Sequence, residues 1–140
     1  MTRINVVPVT ELTDKHLTGE NHEILRPLNL VRKAIARKIN KYNFKDKVKC
    51  PDEYTMGTGH VLFFYNKLGF ILKRYQELQD EMRARGYSPN SVSVESLKLG
   101  IDQWWFGDYN PTPEAMQINR QRLAERLQEM SDKQNKQRGA

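Results

Sequence analysis

The chain has 140 residues, 38% hydrophobic and 29% charged; 23 Lys and Arg against 17 Asp and Glu give a net charge of +6 and a pI near 9.5. That length supports one domain with a real core, while the longest apolar runs, such as Val61 to Tyr65, are too short for a transmembrane helix and the start lacks a signal-peptide pattern. A lone cysteine, Cys50, excludes an internal disulfide and a multi-cysteine zinc site and reads as a partly buried, inert thiol; the basic balance favours a polyanionic partner, nucleic acid first, in the cytoplasm.

The first predicted helix runs roughly from Thr13 to Lys38, with Leu17, Ile24, Leu28, Val31, Ala34 and Ile35 at helical spacing and Thr10 or Thr13 as its cap. Pro27 removes a backbone donor inside it, so the stretch either kinks or divides, and a kink is the preferred reading. The second helix is predicted from about Thr58 to Arg85. It carries Val61, Tyr65, Leu68, Leu72, Tyr75, Leu78 and Met82 on one stripe, with Gly86 as the stop. Phe63, Phe64, Phe70 and Ile71 widen its apolar surface and make it the central core element. The third starts with Thr112 as cap, Pro113 in the first turn and Glu114 beside the dipole, and turns Met116, Leu123, Leu127 and Met130 inward. Polar loops fill residues 40–57 and 86–111, the latter with a short helix near Val94 to Leu99. The expected class is all-α: a single compact domain of three main helices with long connecting loops. It occupies residues 1–130, followed by a polar, frayed tail at 131–140.

Several chemistries are missing. There is no P-loop, no dinucleotide glycine fingerprint and no HExxH. GTGH at 57–60 is too short for a phosphate loop and reads as helix-start glycines. No two of His16, His22 and His60 stand at i, i+4. His16, Glu20 and Glu23 share a helical face, but carboxylate metal sites recruit several helices, so neither metal nor cofactor is expected. Without a metal, His16, Glu20, Glu23 and Arg26 form one charged stripe with His22 just off it. On spacing alone this is a solvent-facing surface, its Glu23–Arg26 pair worth about 0.2–0.5 kcal/mol.

Other runs add information. MTRIN at the start, ELTDKHLTGENHEILR, GTGHVLFFYNKLGFILKRYQEL, RGY and GDYNPTPEAMQINRQRLAERL resemble the pyrimidine-dimer DNA glycosylase family over roughly residues 1–130. The specific signal is TRIN at the extreme start with a Glu twenty-one residues after its Thr. The resemblance implies a compact all-α enzyme acting on cyclobutane pyrimidine dimers in double-stranded DNA. The Thr2 α-amine, exposed once Met1 is removed, would attack C1′ and form an imine, and β-elimination would then cut the strand 3′ to the abasic site. Thr2 and Glu23 match the nucleophile and the catalytic carboxylate. Arg3 and Arg26 match basic residues that hold DNA around the lesion, and Arg122 and Arg126 match phosphate contacts on the last helix. It further implies a monomer needing no protein partner and no membrane.

Physical chemistry agrees with these roles. An imine needs a free amine, and an α-amino group near pKa 7.7–8.0 is roughly a tenth or more unprotonated at neutral pH, against under a thousandth of an ordinary Lys. Thr is small enough to permit removal of Met1. Glu23 can stabilise the sugar cation or protonated imine and then assist proton transfer. Two departures bear on the lesion. His22 stands where the phage pattern has Arg; it either donates to a phosphate or base in a pH-dependent way or is a tolerated replacement. The C-terminal aromatic cluster of the phage pattern is replaced by SDKQNKQRGA. Trp104, Trp105 and Tyr109 could stand in near DNA, with core packing expected for at least one Trp. The alternatives are the same imine chemistry on another damaged base and a non-catalytic basic helical DNA-binding protein.

Overall fold

A computed structural model describes residues 4–138. Its α-helices are α1 (Asp14–Glu23), α2 (Arg26–Ala36), α3 (Phe44–Lys47), α4 (Leu68–Ala84), α5 (Val94–Lys98) and α6 (Pro113–Arg138). Short 3-10 turns lie at Val9–Glu11, Leu62–Phe64 and Gln103–Trp105. The described residues contain no strand, only an isolated bridge between Lys67 and Phe106. The class is therefore all-α, and no described helix is long and apolar enough to cross a membrane.

The stretch from Thr13 to Lys38 is not one kinked helix. Thr13 does cap α1, its Oγ1 accepting from the His16 N–H at 3.3 Å. The helix then ends at Glu23, and Ile24 and Leu25 form a turn before α2. Pro27 falls in the first turn of α2, where a helix has N–H groups without intrahelical acceptors and a missing donor costs nothing. The division lets α1 and α2 each pack on α4.

The central helix begins at Leu68, ten residues later than its periodicity predicts. Residues 58–67 fold as turns and a 3-10 turn instead, so the glycines of GTGH do not open a helix. Gly59 has φ +88°, and a Cβ there would sit 2.7 Å from Pro51. Phe63 and Phe64, adjacent in sequence, are both buried, stacked edge to face at 5.1 Å. Aromatic and β-branched residues at 61–65 gain this burial without helix, for which their propensity is modest. From Leu68 the pattern holds: Leu68, Ile71, Leu72, Tyr75, Leu78 and Met82 are buried. The Gly86 N–H donates to Arg83 and the Tyr87 N–H to Met82, closing a Schellman motif with Gly86 at φ +93°.

Gly69 marks a close approach. A Cβ there would lie 2.7 Å from the Phe106 carbonyl oxygen and 2.8 Å from that of Gly107, whose carbonyl also accepts from the Phe70 N–H. Gly69→Ala is expected to lower stability by about 1–3 kcal/mol, against the direction of helix propensity, read as a lower urea midpoint.

Thr112 caps α6 as expected, its Oγ1 accepting from the Ala115 N–H at 3.0 Å. Ala115 and Asn119 are the buried residues of α6, Met116, Leu123 and Met130 are half-buried, and Leu127 is exposed rather than inward. The helix continues to Arg138 with residues 131–138 fully on the surface. Trp105 is buried against Phe44 with Trp104 half-buried beside both, whereas Tyr109 is half-buried against Phe63 and Phe70 in a different ring cluster. Cys50 is half-buried; burial pushes its thiol above the ordinary range, with the nearby Lys67 cation opposing.

Candidate active site

The segment Ile4–Val7 has no regular structure yet is buried throughout. Irregular backbone in that position needs side-chain partners, and α4, α6 and the loop holding Tyr54 and His60 supply them. The Ile4 N–H donates to His60 Nε2 at 2.9 Å, and the Ile4 carbonyl accepts from the Tyr54 hydroxyl at 2.9 Å. Asn119 Oδ1, from α6, accepts from the Val6 and Val7 N–H groups at 2.7 and 3.2 Å. Arg74, from α4, donates through Nη1 to the Val7 carbonyl.

Glu20 ties these elements together. It is fully buried, accepting from Arg74 Nε at 2.8 Å, Arg74 Nη2 at 3.0 Å and Asn5 Nδ2 at 2.8 Å. Asn119 Nδ2 donates to Asn5 Oδ1 at 2.7 Å, completing a chain Arg74–Glu20–Asn5–Asn119. Glu20 is thus no member of a solvent-facing stripe: α4 packs on that face of α1 and brings the Arg74 fork opposite it. Nor is it a free metal ligand, and among the described residues no three His, Cys, Asp or Glu could hold a metal ion together. His60 Nδ1 lies 2.6 Å from the Thr55 carbonyl, so Nδ1 carries the proton and Nε2 accepts, the neutral imidazole. Burial pushes the Tyr54 phenol far above its ordinary value, and the Glu20 carboxylate adds to the effect.

One turn beyond Glu20, Glu23 closes α1 half-exposed, its Oε2 3.9 Å from Arg26 Nη1 at the start of α2. His22 is exposed on the same last turn. Glu23, His22 and Arg26 therefore share one edge, while Thr2 and Arg3 lie outside the described residues. Arg122 and Arg126 lie elsewhere, in a cleft of about 390 Å³ between α6 and the start of α1, with Asn5, Lys15, His16 and Met56. Each is half-buried and pairs along its own helix, Arg122 with Glu125 at 3.6 Å and Arg126 with Glu129 at 3.2 Å. Burial, and then the Lys15 cation, hold the His16 imidazole below its ordinary value, so it adds no charge to the cleft at neutral pH. From His16 to Glu23 is about 10 Å along α1, and Asn5 touches both the cleft and Glu20. Asn5 thus links the cleft of Arg122 and Arg126 to the buried carboxylate one turn before Glu23.

Asn5, Arg74 and Asn119 were not singled out by sequence reasoning. Arg74 left a signal: a guanidinium three residues after Ile71 and four before Leu78, inside the apolar stripe of α4. The asparagines left none in spacing or periodicity, although both lie in runs that carry the family resemblance, Asn5 as the last residue of TRIN and Asn119 within GDYNPTPEAMQINRQRLAERL. A family model described as pyrimidine dimer DNA glycosylase matches residues 1–93. That range holds the N-terminal segment, Glu20, Glu23, Arg26 and Arg74.

Proposed function

The chain belongs to the pyrimidine dimer DNA glycosylase family, DNA-repair enzymes whose substrate is damaged DNA, and on that premise we propose that it excises cyclobutane pyrimidine dimers through an imine on the Thr2 α-amine. The free amine attacks C1′ of the damaged nucleotide as the N-glycosidic bond breaks and the base departs with the bonding pair. Ring opening leaves the protonated imine. Glu23 stabilises that cation and then accepts the C2′ proton, and the 3′ phosphate leaves in a β-elimination that cuts the strand. Hydrolysis of the imine frees the enzyme.

The observation that carries this reading is the clamp on Ile4–Val7. A nucleophile at a chain terminus must be held, because attack geometry contributes much of the rate, and an unanchored terminus frays. Five side-chain hydrogen bonds from His60, Tyr54, Asn119 and Arg74 fix this backbone, and Asn5 fastens it to Glu20, one turn from Glu23. Thr2 precedes Ile4 by two residues, a covalent reach of about 7 Å at most. Arg3, His22 and Arg26 take the phosphates around the lesion, and Arg122 and Arg126 those at the opposite cleft. The catalytic unit is one domain spanning residues 1–130, acting as a monomer without metal or cofactor.

Cleavage of a dimer-containing duplex, at an undiminished rate in chelator, tests the reading; a chelator-sensitive reaction giving no β-elimination product would sink it. Arg122→Ala should weaken duplex binding across sequences and reduce the slope of log K against log salt by about one; an unchanged slope removes Arg122 from the phosphate surface. His22, exposed beside Glu23, favours a second reading in which the same imine chemistry serves another damaged base. Cleavage of abasic-site duplex, but not of dimer duplex, would identify it.

A further inference from the structure

The positive charge of this protein is concentrated in one place. Residues 32–49 hold eight Lys or Arg and one Asp, a net of +7 against +6 for the whole chain, so everything else sums to −1. Elsewhere most arginines are matched to carboxylates: Arg74 to Glu20, Arg83 to Asp80, Arg85 to Asp14 and Glu81, Arg120 to Glu11. Of these eight cations, among the described residues only the Arg32 side chain is engaged by hydrogen bonds, donating to the Leu97 and Leu99 carbonyls at 2.6 Å each. The other seven cations are exposed and form no ion pair among the described residues.

Their arrangement is ordered. At 100° per residue, Arg26, Lys33 and Arg37 fall within about 40° on one face of α2, over about 16 Å. Burial pushes the Tyr65 phenol up while the Arg37 and Arg26 cations oppose it, so both guanidinium groups lie within electrostatic reach of one ring, in keeping with that shared face. The line begins at Arg26, paired with Glu23, and continues into Lys38 and Lys41. There Asn40 and Asn43 lock the turn: the Asn40 N–H donates to Asn43 Oδ1 at 2.8 Å, the Asn43 N–H to Asn40 Oδ1 at 3.3 Å, and Asn43 Nδ2 to the Lys38 carbonyl at 3.1 Å. Tyr42 projects from that turn, 84% exposed.

Lys38 is the informative residue. Its φ is +69°, the one left-handed non-glycine among the described residues. The Lys38 N–H donates to Ile35 and the Ile39 N–H to Ala34, so Lys38 occupies the Schellman position that ends α2. At the equivalent position of α4 stands Gly86, the residue that suits this backbone. A lysine there is strained, and strain kept at one position points to a use for the side chain.

We infer that the face of α2 carrying Arg26, Lys33 and Arg37, with Lys38 and Lys41 just beyond the helix end, is a second DNA-contact surface, taking the phosphate backbone of the duplex that flanks the lesion. At one phosphate per 3.4 Å of strand, 16 Å covers about four to five base pairs leading away from Glu23. The cations need no base contacts: they hold the duplex in register while Glu23 and its neighbours face the damage. The inference rests on DNA being the substrate and extends the proposed function to the undamaged flank.

The test uses the full chain and a short undamaged duplex, with affinity measured by fluorescence anisotropy between roughly 50 and 200 mM salt. Lys33→Gln with Arg37→Gln should lower the salt slope by about two. The equally discharged control, Lys73→Gln with Lys98→Gln, alters exposed lysines of α4 and α5 and should leave it unchanged. Lys38→Gly should raise the urea midpoint by relieving strain and yet lower the slope by about one, a combination that a structural role cannot produce. Unchanged slopes in the α2 variants, or an equal fall in the control pair, overturn the inference. So does a result in which the α2 pair weakens binding to phosphatidylglycerol vesicles while duplex binding stays intact. Because the readout is binding to undamaged DNA, its failure leaves the imine chemistry standing, and failure of the imine chemistry leaves this surface standing.

Discussion

Glu23→Gln is expected to lower strand cleavage by about 10²–10⁴-fold, the range for loss of a positioned acid–base group, while affinity for dimer-containing duplex changes by less than about tenfold. The change keeps the side chain's size and removes its charge. Glu23 lies half-exposed at the end of α1 and touches Arg26 only at 3.9 Å, so little of the fold depends on it and the urea midpoint should hold. On the proposed mechanism, what disappears is the carboxylate that would stabilise the cationic imine and accept the C2′ proton. Removing a negative charge beside DNA should, if anything, tighten the complex slightly. A variant that retains cleavage within about tenfold of the parent excludes Glu23 as the catalytic carboxylate, and one that loses binding and cleavage together assigns it to binding.

Arg74→Met should cost about 3–5 kcal/mol, the loss seen when one partner of a buried ion pair is removed. The variant strands the Glu20 carboxylate, fully buried, with the Asn5 amide as its remaining partner in this network, and leaves the Val7 carbonyl without its Arg74 donor. Should Arg74→Met not fold, Arg74→Lys keeps the charge but lacks the two-pronged donor set; it should unfold at a urea concentration between those of the two proteins. Cleavage should fall further than the folded fraction explains, because Val7, Asn5 and the chain leading to Thr2 hang on this network. A loss under about 1 kcal/mol for Arg74→Met would show the pair to be incidental.

These two carboxylates mark what a sequence can and cannot disclose here. Glu20 and Glu23 stand three residues apart on one helix and look alike in the chain. Helical spacing puts both on one stripe, but it says nothing about what packs against the stripe. Only the docking of α4 makes Glu20 a buried anchor and leaves Glu23 at the edge. The caps were readable because they are local: Thr13, Thr112 and Gly86 act through bonds to residues within five positions. Pro27 was ambiguous for the same reason, since one missing N–H suits either a kink or a first turn. The apolar pattern of residues 58–67 reported burial correctly and helix wrongly, because aromatic side chains gathered around turns bury as well as those on a stripe. The segregation of charge into residues 32–49 lies open in the sequence to local counting. The strain at Lys38 does not, because it exists only once α2 has an end.

The measurement closest to the centre is borohydride trapping on a dimer-containing duplex, with the intact mass of the protein taken before and after. A chain whose mass begins at Thr2 should give a covalent protein–DNA adduct, reduced to a stable amine, with peptide mapping placing the link at the Thr2 nitrogen. A chain that begins at Thr2 and cuts the duplex without forming an adduct, or forms one at a lysine, would contradict the terminal-amine mechanism.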